Sequence, residues 1–247
     1  MARIAQFILF SLLCSSVFIA RQHESPTSEV DRLFVYGGND VRERQALDVL
    51  ERALKDTPND YHLLWRAARS YYYLGDGAMG RDRADYFEKG IAASMRAVAE
   101  NGNGAEGHFW LGSNYGMYCS EKGFIVALKN IGKIRTEFET VLRLNPAYEN
   151  GATYTALGEI DRQAPRLFGG NIKRAISYLE EGLKLASTNI GLKESLAEAY
   201  ADHGQKEDAR RQLLELLQMP AASNAHVLEN KRAQEKARKL LAKLGSK

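Results

Sequence analysis

Residues 75–80, Gly-Asp-Gly-Ala-Met-Gly, spell the G-x-G-x-x-G of a dinucleotide-binding loop. That chemistry needs a strand before the glycines and a helix after them, so that backbone N–H groups meet a pyrophosphate. Here the triplet Tyr71-Tyr72-Tyr73 precedes the glycines and no alternating strand pattern lies near them. The stretch reads as a lengthened turn between two helices. Phe168-Gly169-Gly170-Asn171 has the look of a phosphate cradle but lacks the Lys-Ser/Thr of a P-loop. It reads as a tight turn in which glycine supplies positive φ and Asn171 caps the next helix. The five histidines, His23, His62, His108, His203 and His226, form no H-E-x-x-H motif, and no Cys/His set has zinc spacing. Cys119 has no base partner in any recognisable motif and reads as a small buried apolar residue. The sequence therefore points to no catalytic residue, no metal and no cofactor.

With catalysis set aside, the informative pattern is a repeat. Apolar residues make up 45% of the 247-residue chain and prolines number only five, which together favour a helical fold with a sizeable core. The net charge of +3 is too small to indicate nucleic acid as a partner. Ala46, Leu50, Ala53 and Pro58 stand at offsets 0, 4, 7 and 12, and Ile134, Phe138, Val141 and Pro146 repeat those offsets. Ala175, Leu179, Gly182 and Ser187 do so again, and Ala92, Arg96, Ala99 and Gly104 supply a fourth set. Ala209, Leu213 and Leu216 continue the series. Offsets 0, 4 and 7 share one helical face, and small residues there admit a close neighbour helix.

Partner helices fall in the gaps. Leu64, Ala67, Ala68 and Tyr71 match the first-helix pattern W-x-x-L-G-x-x-Y of tetratricopeptide repeats, as do Tyr154, Leu157, Gly158 and Asp161, with Asp in the last place. Leu196, Ala197 and Tyr200 fit too, and Phe109-Trp110-Leu111-Gly112 is a looser match. The step from Ala175 to Ala209 is the tetratricopeptide 34 residues; earlier steps are longer, with the extra residues at 74–84, 118–127 and 162–171. A final stripe, Val227, Ala233, Ala237, Leu240, Leu241 and Leu244, suits a capping helix. The expected fold is an all-α solenoid of antiparallel helix pairs with a C-terminal cap.

Arg3 precedes fourteen charge-free residues, 7–20, too short to span a bilayer and suited to a secretory signal. Cys14 offers a weak lipidation site. The expected organisation is a signal or anchor over 1–20, a linker over 21–40 and the repeat domain over 41–247, with the chain exported and envelope-associated.

The stretches GHFWLGSNYG, VLRLNPAYENGATYTALGEIDRQAPRLFGGNIKRAISYLEEGLKLAS and VLENKRAQEKARKLLAKL occur in an order that resembles the T-component of TRAP transporters. In that family a Pro and a Gly-Gly pair follow an L-G helix, as Pro165, Gly169 and Gly170 do here. The resemblance implies an exported helical protein, commonly a lipoprotein, that associates with a periplasmic substrate-binding protein and has an internal apolar channel. A general scaffold in envelope protein assembly is the other expectation. Within each first helix, positions beside the packing face are expected to line the concave surface. They are His62, Trp65, Arg69 and Tyr72, then His108, Leu111, Tyr115 and Tyr118, then Ala152, Thr155, Glu159 and Arg162, then Gly191, Glu194, Glu198 and Ala201. The aromatic half suits an apolar ligand or partner side chain, and Arg69 or Arg162 suits a carboxylate. Membrane contact is expected only through the N-terminus, where that segment is retained or lipidated.

Overall fold

The computed structural model describes residues 24–34, 40–219 and 227–245, with the side chains of 227–229 set aside. The signal or anchor expected over 1–20 and the cysteine at 14 lie outside the described residues. The helices are α1 (Pro26–Leu33), α2 (Asp40–Asp56), α3 (Tyr61–Gly77), α4 (Arg81–Glu100), α5 (Ala105–Lys122), α6 (Phe124–Leu144), α7 (Ala152–Gln163), α8 (Ile172–Leu185), α9 (Ile190–Asp202), α10 (Lys206–Gln218) and α11 (Val227–Gly245). No strand occurs among the described residues, and no described helix is long and apolar enough to cross a membrane.

Sequence sets the helix ends. The side chains of Asp60, Asn171 and Asn189 accept hydrogen bonds from the first-turn amides of α3, α8 and α9, satisfying N–H groups that have no helical partner. Pro58 and Pro146 lie just past the ends of α2 and α6, where a missing N–H does no harm. Helices pair in order, α1 with α2 through α9 with α10; α1, α3 and α7 also pack on the first helix of the next pair, and α6 joins the α5–α6 pair to α7. α11 covers the end against α9 and α10, burying Ala233 and Ala237.

The repeated offsets are the packing rows. Ala46 and Leu50, Ile134, Phe138 and Val141, Ala175 and Leu179, and Ala209, Leu213 and Leu216 are all buried. A Cβ on Gly158 would stand 2.6 Å from the Leu179 side chain, and one on Gly112 would stand 3.0 Å from the Phe138 ring. Each glycine lets its helix approach its partner closely.

Four expectations need correction. On α4 the row is shifted by two residues: Ala92, Arg96 and Ala99 are exposed, whereas Gly90, Ser94 and Ala97 are buried at the same offsets. Asn114 of α5 fills the space over Gly90, where a Cβ would fall 2.1 Å from its Oδ1. The glycine-rich stretch is not a long turn either. Gly75 and Gly77 are the last turn of α3, and a Cβ on Gly75 would strike the Phe87 ring at 2.7 Å. The extra residues at 74–84 and 118–127 lengthen helices, leaving Gly123 alone between α5 and α6; those at 162–171 do form a loop. Finally, part of the stretch expected as a linker is helical. α1 buries Val30 and takes the place of the first helix paired with α2.

Candidate functional site

The expected groove residues divide into three groups. Trp65, Arg69 and Tyr72 lie together on α3, but as packed residues. Trp65 is only 9% exposed, with the guanidinium of Arg66 4.1 Å and that of Arg69 5.3 Å from its ring centre. Arg69 is buried, stacked 3.8 Å from the Phe34 ring, and its Nη2 donates to Asp31 of α1 at 3.2 Å. Arg66 donates twice to the same carboxylate, at 2.9 and 2.6 Å. The two guanidiniums hold Asp31 below the ordinary carboxylate range, against the desolvation that works the other way. Tyr72 is half-buried, its ring 5.5 Å from Trp110. Arg69 thus already holds a carboxylate, one supplied by the chain itself.

On α5 the expected stripe of His108, Leu111, Tyr115 and Tyr118 puts Trp110 in the tryptophan place of the repeat, and the glycines show a different register. Gly112 faces Phe138 as Gly158 faces Leu179. Tyr154 lies four residues before Gly158, so its counterpart is His108, not Trp110. His108, Leu111 and Tyr115 accordingly turn inward or toward α6. His108 and Leu111 are buried. His108 Nδ1 lies 2.6 Å from Glu137 Oε2 and its Nε2 lies 3.0 Å from the Gly102 carbonyl. Both partners are acceptors, so the ring donates from both nitrogens as an imidazolium. The Glu137 bond raises its pKa above the ordinary value, against burial and the nearby Arg143. Tyr115 accepts from Lys133 of α6 at 2.7 Å, and Lys122 stands over the half-buried Tyr118 ring at 5.2 Å. This group joins α5 to its partner and to its own end; it does not continue the α3 strip.

Glu159 and Arg162 do form a cross-helix site. Arg162 donates to Glu159 at 2.7 Å, pairs with Glu198 of α9 at 2.8 Å and donates to Asp202 at 2.8 Å. Burial opposes its charge, but the surrounding carboxylates outweigh that and raise its pKa. Glu194 of α9 pairs with Lys236 of α11 at 2.7 Å. Four carboxylates therefore meet one guanidinium and one ammonium across α7, α9 and α11. Burial raises the pKa of Glu198, and Glu159 and Glu194 add to it while Arg162 works against it. The surplus is negative, and every nitrogen of Arg162 has an acidic neighbour. The carboxylate ligand expected at Arg69 or Arg162 finds both positions filled.

Sequence reasoning passed over one further cluster. Asp161 occupies the last place of the α7 pattern, where the repeat expects tyrosine, and its side chain is fully buried. Arg135 of α6 donates to its Oδ1, and Arg174 of α8 donates to both oxygens at 2.5 and 2.7 Å. Arg174 also donates to the Gly169 carbonyl at 2.7 Å. A buried acid requires paired cations, so the Asp in a tyrosine place was the available signal. Gly169 has φ +85° and Asn171 caps α8, which accounts for the Gly-Gly-Asn stretch without a phosphate. Among the described residues no group of three His, Cys, Asp or Glu side chains could hold a metal.

The arrangement is similar to solved repeat proteins. A thermophilic TPR protein from Thermus thermophilus, TTC0263, aligns with TM-score 0.57 and 21% identity over 82% of this chain and 90% of that one. MamA aligns with TM-score 0.50 and 18% identity over 80% and 92%. At these identities the likeness shows the fold: a tetratricopeptide-like α-solenoid. No curated protein sequence matches the chain significantly. None of these matches carries the resemblance to a transporter T-component. The family profile described as regulator of microtubule dynamics protein 1-3 does match, over residues 27–245, beginning within α1 and ending with α11. On that span, nearly the whole repeat body, the chain belongs to the regulator of microtubule dynamics protein 1-3 family.

Proposed function

We propose that the chain is a non-catalytic scaffold that holds a basic segment of a partner protein against the face formed by α7, α9 and α11. The observation that carries this reading is the uncompensated negative charge of Glu159, Glu194, Glu198 and Asp202 around Arg162 and Lys236. A Lys- or Arg-bearing segment would supply the missing cations, and partly buried pairs of this kind favour specificity and fast association. Of the two roles raised by the sequence, the family match favours a general scaffold, and microtubule dynamics enters through the family's name as the process in which to seek the partner. The role in a periplasmic TRAP-type uptake system, with a substrate-binding protein as partner, rests on the sequence resemblance alone.

The test uses the full chain with two fluorescent peptides of equal length, one Lys/Arg-rich and one Asp/Glu-rich. The basic peptide should bind, bind less as salt rises, and lose about tenfold in affinity in Glu194→Gln/Glu198→Gln. Preference for the acidic peptide, or unchanged binding in the double variant, would reject the assignment.

A further inference from the structure

The end of the solenoid where each first helix turns into its partner carries large apolar side chains in water. Phe124 and Ile125, at the start of α6, are 62% and 63% exposed; Leu167 and Phe168, in the α7–α8 loop, are 95% and 47% exposed. Both turns follow first helices that run in the same direction, so both lie at one edge. α5 and α6 together project beyond the shorter α7–α8 pair there. Counted from the equivalent buried residues Ile134 and Ala175, α6 begins ten residues earlier and α8 three, so the start of α6 lies roughly 10 Å further out than that of α8 at 1.5 Å per residue. The α7–α8 loop is firmly built. Phe168 and Gly170 donate their amides to the Pro165 carbonyl, and Arg174 ties Gly169 to the buried Asp161. Leu167 is therefore held out in solvent by a hydrogen-bonded frame.

The chain segments that carry these tips have charges of one sign. From Lys122 to Thr136 the chain carries Lys122, Lys129, Lys133 and Arg135 and no acid; from Arg162 to Leu179 it carries Arg162, Arg166, Lys173 and Arg174 and again no acid. Glu121, just outside, is taken by Arg83 at 2.6 Å. Arg135, Arg162 and Arg174 are paired inside the fold, whereas Lys122, Lys129, Lys133, Arg166 and Lys173 face no carboxylate within ion-pair distance among the described residues. In a chain whose acids and bases nearly balance, these two acid-free turns are a local exception, since the α3–α4 and α9–α10 turns of the same edge carry the exposed acids Asp76, Asp202 and Glu207.

We infer that this edge docks on an anionic lipid bilayer, with Phe124, Ile125, Leu167 and Phe168 entering the interface and the surrounding lysines and Arg166 meeting the headgroups. Separate protruding tips suit a soft surface that closes around each, and long basic side chains can reach headgroups while their stems stay with the apolar tips. The acidic cluster of Glu159, Glu198 and Asp202 lies beside this edge at the ends of α7 and α9, and three of its contacts go to Arg162.

The experiment uses full-length Phe124→Trp and reads the introduced indole by difference from the unsubstituted chain, whose Trp65 and Trp110 are buried. This local readout is independent of any binding by residues 7–20. Vesicles of phosphatidylcholine with phosphatidylserine should shift the emission of the introduced indole to the blue, and acyl-chain-brominated lipid should quench it. Neutral phosphatidylcholine should do neither. Adding Leu167→Ser should weaken the response about tenfold, and Lys129→Glu with Arg166→Glu should remove it while the helical circular dichroism is kept. The inference is overturned if the emission of the introduced indole stays unmoved while the chain co-sediments with the vesicles. It is equally overturned if neutral and anionic vesicles act alike, or if the emission responds to a protein partner but to no vesicle.

Discussion

Glu43 is the side chain at which pH should act most directly on stability. It is 1% exposed on α2, lies close to Ser70, and desolvation raises its pKa above the ordinary 4.5. A raised folded value means that the folded state holds the proton more tightly than the unfolded chain. That contribution is complete below about pH 4.5 and is lost as pH rises through the folded value. Glu43→Gln keeps the shape without the charge, so it should raise stability by about 1 kcal/mol at pH 7.5 and flatten the profile; urea titrations at pH 5 and 7.5 decide, and equal destabilisation at both would refute it. His108 acts in the same direction at higher pH. Its folded value is raised by Glu137, so its contribution is full below about 6.5 and disappears as pH climbs through the folded value. Asp161 differs, since removing its charge strands Arg135 and Arg174. Asp161→Asn should cost about 3 kcal/mol in the same titration, and a loss below about 0.5 kcal/mol would deny the cluster a structural role.

The helix rows give a paired test of close approach. Gly158 has no room for a Cβ beside Leu179, while Gly132 on the neighbouring α6 has open space. Gly158→Ala should destabilise by about 1–3 kcal/mol through overpacking, whereas Gly132→Ala should stabilise by up to about 1 kcal/mol through helix propensity. Opposite shifts in thermal midpoint would confirm the difference; shifts of the same sign would remove it. These rows were also what the sequence made legible. Where a row mixes small residues with large ones, as Ala46–Leu50 and Ala175–Leu179 do, one register alone buries the large side chains. Around Ala92, Ala93, Ala97 and Ala99 small residues fit several registers, and the true row passes through Gly90 and Ser94, which the consensus does not favour. Trp110 drew the α5 register to itself by size, although the aligned position holds a charged histidine whose fitness depends on Glu137, 29 residues away. α1 escaped because eight residues give too few turns for a period to show, and its Asp31 and the neighbouring Phe34 gain meaning only when Arg66 and Arg69 are seen above them.

For the whole molecule, the charge-free residues 7–20 predict that residues 1–30 carry a reporter out of the cytoplasm. A fusion to a reporter active only after export should be active, and an inactive cytoplasmic fusion would exclude that destination. The body itself has a shape consequence. α3 to α6 run 17, 20, 18 and 21 residues, whereas α7 to α10 run 12, 14, 13 and 13. The packing rows are alike, so the added length lies at the turn ends and the solenoid tapers from about 30 Å deep to about 20 Å at 1.5 Å per residue. A tapered stack resists tension unevenly. Pulled between its ends, α11 and the short hairpins should peel away first at low force, followed by the long hairpins at higher force. An extension trace should climb in steps, with the eight-residue α1 and the short α7–α10 hairpins yielding before the long hairpins of α3 to α6.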